Sequence, residues 1–215
     1  LYTIPIYYPI CPFTINYSDY SSRYPYHRFA PPIINTSLMK LNNNIITLWQ
    51  QHIFWIRAAT LSLINNTPDY SFIIERLYKN PIHFEEMLLP IYGKEKSEQF
   101  RDLLKEHIIL IIHIIEKNKS KNLEAASEVE KAWYTSADKI AHFLSSINPY
   151  WNKDEWKNLL HKHLELTKAQ TIDIINKYYE ISINIFNEIE KVALNISNYM
   201  FYGIIYQFPN KYHIQ

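Results

Sequence analysis

Apolar residues recur at helical spacing in four long stretches of this chain, and three of those stretches put a histidine on the apolar face. Ile45, Leu48, Trp49, His52, Ile56, Ala59 and Leu63 share one side of a helix predicted over residues 36–64, which Asn65, Asn66 and Thr67 end. A short helix follows, with Thr67 as N-cap and Pro68 at its first position, until Asn80-Pro81 breaks it. A further turn or two carries Phe84, Met87, Leu88 and Leu89 and stops at Pro90 and Gly93.

The second long helix is predicted over 94–118, with Phe100, Leu103, Leu104, His107, Ile111 and Ile114 inward. The third covers 123–147, with Val129, Trp133, Ala137, Ile140 and Leu144, and Asn148-Pro149 stops it. Asn152 then caps a shorter helix bearing Trp156, Leu159, Leu160, His163 and Leu164, with Glu155 at the capping-box position. Thr167 and Gln170 read as a second capping box. It opens a last segment to residue 207, which as one straight helix of about 40 residues would span about 60 Å. The expected fold is all-α: a four-helix bundle with short inserted helices and an extended N-terminal arm. Its parts are the arm at 1–35, the bundle at 36–208 and a C-terminal tail at 209–215.

The arm has no helical period. Pro5, Pro9, Pro12, Pro25, Pro31 and Pro32 forbid helix and favour extended chain. It is nevertheless rich in large apolar and aromatic side chains, unlike ordinary disordered tails. Tyr7, Tyr8, Ile10, Phe13, Tyr17, Tyr24 and Tyr26 are its candidate contact residues. Tyrosine supplies contact area at low entropic cost, and an extended apolar segment can dock through alternate side chains.

Composition narrows the function classes. Lys and Arg number 22 against 21 Asp and Glu, so no basic surplus points to nucleic acid. Only two glycines occur, which argues against phosphate-cradling loops and dinucleotide folds. The lone cysteine, Cys11, allows no intrachain disulfide. The apolar run Ile108–Ile112, resuming at Ile114, falls well short of the roughly 20 residues a spanning helix needs.

No motif fixes a reaction. His52, His107 and His163 face inward from three predicted helices, and Glu106 and Asp138 lie close in pattern, so a transition metal held in the bundle is one reading. Against it, no Glu-x-x-His or His-Glu-x-x-His spacing is present. The alternative is a buried polar network in which each imidazole donates to a carbonyl or carboxylate. Acid–base chemistry by a pair such as His107 with Asp138, and noncovalent haem, are weaker readings of the same residues.

Leu48-Trp49-Gln50-Gln51-His52, followed by Trp55 and Arg57, opens a series of marks. They continue through Asn80-Pro81, Tyr92-Gly93, Glu106-His107, Trp133-Tyr134, Asp138, Asn148-Pro149-Tyr150-Trp151, Trp156 and His163. Over residues 45–208 this pattern resembles a family of small all-helical proteins of spore-forming Firmicutes. The resemblance carries no activity with it; it implies a spore-former source and a spore-associated role. Gln50 stands where that family often has glutamate, and Asn187 where it often has aspartate, so two possible ligand charges are missing. The leading expectation is a non-catalytic, self-assembling protein whose arm docks on a neighbouring subunit. The alternative is a metal-binding or catalytic bundle without a second cofactor.

Overall fold

The computed structural model describes residues 36–212. The arm positions Tyr7, Tyr8, Ile10, Phe13, Tyr17, Tyr24 and Tyr26 lie outside the described residues. Within them the chain is a helical bundle with no strand. Its helices are α1 (Thr36–Asn65), α2 (Tyr70–Leu77), α3 (Lys79–Tyr92), α4 (Lys94–Lys119), α5 (Leu123–Ile147), α6 (Lys153–Ile175) and α7 (Tyr179–Gln207). A 3-10 turn at Pro209–Tyr212 follows, and its Tyr212 is buried. No described helix is long and apolar enough to cross a membrane.

Five long rods, α1 and α4 to α7, pack in sequence, with α7 returning to α1 and α1 closing on α4. Buried apolar side chains from all five form one core, with Trp49, Trp133 and Trp156 its largest members. Lys119 Nζ at the end of α4 reaches the Leu63 carbonyl and Asn66 Oδ1 at the end of α1, both at 2.6 Å. The Ser182 carbonyl near the start of α7 receives Arg57 of α1 and Gln170 of α6. These ties make α1, α4 and α6 run the same way, with α5 and α7 opposed.

The helix boundaries correct the sequence reading in three places. No helix starts at Thr167. Both Thr167 and Gln170 are buried within α6, where Gln170 Nε2 donates to the Ser182 carbonyl at 3.0 Å. The break comes at Asn176–Tyr178, so the expected 40-residue rod is two helices. Asn80-Pro81 does not end the short helix either. It forms the first turn of α3, where a missing N–H costs nothing, and α3 runs on through Pro90. Thr67 does not cap α2, since its hydroxyl bonds Asp69 Oδ1 instead. Asn152 does cap α6 as expected, accepting from Asp154 and Glu155 N–H.

Three helices end on a left-handed residue that is not glycine. Asn66, Lys121 and Lys177 take the left-handed backbone, with φ of 55°, 57° and 62°. Each end carries the paired bonds of a Schellman motif, as where Tyr178 N–H reaches the Asp173 carbonyl at 2.8 Å and Lys177 N–H the Ile174 carbonyl at 3.1 Å.

The Asn148–Trp151 corner is packed as a joint. Trp151 Nε1 donates to the Tyr199 carbonyl at 3.1 Å, and the Tyr199 hydroxyl accepts from Asn152 N–H. Gly203 on α7 makes room: a Cβ there would lie 1.8 Å from Trp151 Nε1. Gly203→Ala is expected to destabilise the fold by about 2 kcal/mol or more through overpacking, measured by urea denaturation. Lys177→Gly is expected to stabilise it by about 0.5–1 kcal/mol, because glycine relieves the left-handed backbone.

Candidate functional site

Three imidazoles meet at one level of the core. His52 lies 13 residues before the end of α1, and His107 and His163 lie 12 before the ends of α4 and α6. Parallel helices rise equally per residue, so these positions stand at one height. The His52 and His163 rings are 5.5 Å apart between centroids, and His52 and His107 are 6.5 Å apart and nearly parallel. All three side chains are 2% exposed or less.

Hydrogen bonds fix the protonation of two rings. Asn80 Nδ2 donates to the Leu48 carbonyl at 2.9 Å, which turns its Oδ1 toward His52. His52 Nδ1, 3.2 Å from that oxygen, must carry the proton. Ser136 Oγ spends its proton on the Trp133 carbonyl at 2.6 Å, so His107 Nδ1 donates to Ser136 at 2.7 Å. Trp133 Nε1 then donates to His107 Nε2 at 3.2 Å. Both rings are neutral Nδ1–H tautomers whose Nε2 lone pair is free or accepting.

His163 differs. Neither of its ring nitrogens has a hydrogen-bond partner among the described residues. The same holds for Thr167 Oγ1, one turn further along the same face of α6, and for the indole N–H groups of Trp49 and Trp156. Orphaned polar atoms in a dry interior cost about 1–3 kcal/mol each.

Burial dictates the charge state. Desolvation pushes His52 down to about 4 despite its Asn80 bond, and His163 down to about 3 with help from His52. Desolvation first, and then the neighbouring imidazoles, hold His107 well below its ordinary value. All three are neutral at pH 7.

The expected carboxylates do not join them. Glu106 pairs with Lys139 at 2.9 Å on the surface. Asp138 binds Lys157 at 2.9 Å and His161 at 2.7 Å, so the anticipated His107–Asp138 pair is absent. The four-residue spacing of Lys157 and His161 on α6 was the available signal for that contact. Asn80 and Ser136, the true partners of His52 and His107, carried no such signal. Among the described residues no group of three or more His, Cys, Asp or Glu side chains is drawn tightly enough to hold a metal ion as it stands.

A second feature lies on the surface between α1 and α7. Ile46, Gln50 and Phe54 of α1 face Phe186, Glu190 and Leu194 of α7 across an open, largely apolar cleft. It continues to Met39, Phe201 and Tyr202 at the start of α1. Phe54 is 55% exposed and Met39 48%, large apolar side chains left open at the two ends of this face of α1. Gln50 and Asn187 line this cleft together and are not among the partners of the three imidazoles.

The acid response of the fold follows from the imidazoles. Unfolded, each ionises near 6.5; folded, His52 does so only near 4 and His163 near 3. Over that window the unfolded chain binds more protons. Their stabilising effect is therefore complete above about pH 6.5 and is lost as pH falls toward 4. Urea denaturation should show unfolding free energy dropping across this window by at most about 4 kcal/mol per pH unit, the limit for three protons. His163→Leu should lower the slope by about a third; an unchanged slope would show that this ring does not titrate on unfolding.

No family model, no curated protein and no solved structure matches this chain.

Proposed function

We propose that this chain is a non-catalytic assembly protein in which residues 1–35 of one copy occupy the α1–α7 cleft of a neighbouring copy. The observation that carries this reading is the cleft itself, an apolar trough flanked by Met39, Phe54, Leu194 and Tyr202, each 41% exposed or more. Between Met39 and Phe54 it runs about 22 Å along the helix, which about seven residues of extended chain would cover.

The arm suits it by composition. No charged residue precedes Asp19, and Ile4, Ile6, Tyr8 and Ile10 alternate with Pro5, Tyr7 and Pro9. Alternation presents one apolar edge, and the prolines forgo backbone donors that a helical trough could not satisfy. Residues 18–35 reach at most about 60 Å when extended, enough to bridge to a second body. Reciprocal exchange of arms would close a dimer, and head-to-tail exchange would build a ring or filament.

In architectural terms we read the described body as an enlarged four-helix bundle, in which the helix expected to be short after Asn152 runs on to Ile175 and becomes a fifth long rod. The resemblance to the spore-former family adds a spore-associated setting to the proposal.

Light scattering of the full chain tests the assembly. The wild type should be oligomeric at micromolar concentration. Phe54→Glu combined with Leu194→Glu, and separately Ile6→Asp with Tyr8→Asp, should each give monomers of unchanged helicity. A monomeric wild type, or variants that keep its mass, would overturn the reading.

A further inference from the structure

We infer that a surface pocket bounded by α1, α2 and α3 binds a small zwitterion, a peptide of two or three residues with free amino and carboxyl ends. Arg76 takes the carboxylate and Glu86 the ammonium. The inference is independent of the assembly reading, which concerns the other side of α1; the two features share only the α1 wall at Thr47 and Gln51.

The pocket has a volume of about 340 Å³, inside the range usual for small-molecule sites. Asn44, Thr47 and Gln51 line it from one face of α1, Arg76 from the last turn of α2, and His83 and Glu86 from α3. Polar side chains thus dominate its wall, in contrast to the α1–α7 cleft.

Arg76 carries the argument. No carboxylate pairs with it among the described residues. Its Nη2 donates to the neutral Gln51 side chain at 2.9 Å, and its guanidinium carbon lies 5.1 Å from the centre of the Trp55 ring. Its Nη1 is buried without a partner. The guanidinium is therefore held in place while only one of its five N–H donors is answered by the protein. A fixed, planar fork of this kind matches the two oxygens of a carboxylate. Glu86 is equally unspent. Its neighbour Glu85 pairs with Arg101 at 2.9 Å, but Glu86 has no ion pair or hydrogen bond among the described residues, and neither have Asn44, Thr47 and His83. An acid and a base thus line one pocket without engaging each other.

The two charges stand at opposite ends. α3 starts beside Leu48, whose carbonyl Asn80 binds, and ends beside Gln207 near the start of α1. It runs opposite to α1. Glu86, six residues on from Asn80, lies about 9 Å from the level of Leu48 toward the start of α1. Arg76 reaches Gln51, on the far side of Leu48. A single amino acid is too short to meet both. Two or three extended residues, at about 3.3–3.6 Å each, span about 7–10 Å. Asn44, Thr47 and His83 fall between the ends, where they can serve the amide groups of such a ligand. A pure anion would gain Arg76 but face Glu86.

Isothermal titration calorimetry of the full chain with dialanine and trialanine tests the inference. One site per chain is expected, weakening as salt rises. Amidation of the carboxyl end and acetylation of the amino end should each weaken binding by about 10-fold or more. Alanine, acetate and inorganic phosphate should bind more weakly than either peptide. Arg76→Lys, which keeps the charge but loses the fork, should weaken binding, and Arg76→Gln should erase the difference between free and amidated peptide. Glu86→Gln should erase the difference between free and acetylated peptide while leaving the other. Glu190→Gln, in the α1–α7 cleft, should change nothing. Absence of saturable binding overturns the inference, as does equal binding of the blocked peptides, phosphate binding as tight as trialanine, or loss of binding in Glu190→Gln. If Arg76→Gln fails to fold, Glu86→Gln, which alters an exposed side chain, decides: continued preference for the free amine overturns the inference equally.

Discussion

A polar ring nitrogen in a dry core must find its partner on another helix, and that demand organises the centre of this molecule. His52 of α1 is answered by Asn80 of α3, whose amide is itself anchored on the Leu48 carbonyl of α1. His107 of α4 is answered twice from α5, by the Ser136 hydroxyl and the Trp133 indole. Hydrophobic burial alone is nondirectional and would tolerate sliding of one rod along another. These bonds do not, because a shift by one residue would strand a donor at a cost of about 1–3 kcal/mol. The imidazoles therefore set the register of α3 on α1 and of α5 on α4. His163 of α6 takes no such part, which makes it the member with capacity to spare.

The period of 3.6 made the long helices and their inward histidines legible, because inward apolar positions such as Ile45, Trp49, Phe100, Leu104, Trp133 and Leu160 repeat at that spacing and are buried. Helix ends were harder. Thr167 and Gln170 look like a start signal, yet in a buried stretch Gln170 turned its amide to a neighbouring helix. The real end at Asn176–Lys177 has no glycine or proline to announce it, and the apolar period continues across it from Ile174 to Ile181.

Partners across helices were less legible still. Asp138 shares a face with His142 by spacing, but spacing along one helix does not tell which neighbouring helix that face meets. It met α6, and His161 there, rather than His107 on α4. Ser136 was invisible for another reason: a helical serine ordinarily bonds its own backbone, as this one does with Trp133. Its second role depends on α4 lying alongside. Gln50 and Asn187 sit in different helices and meet only in the folded cleft, so nothing local connected them.

The lysine that bridges the ends of α1 and α4 has an electrostatic consequence. Parallel helices bring their C-terminal ends, each carrying about half a negative charge, to the same side of the bundle. Two such ends side by side repel. Lys119 places its ammonium between the Leu63 carbonyl and Asn66 while belonging to the last turn of α4. One cation thus screens two macrodipoles, and acetylation of that single amine would set both ends against each other at the point where the parallel rods are joined.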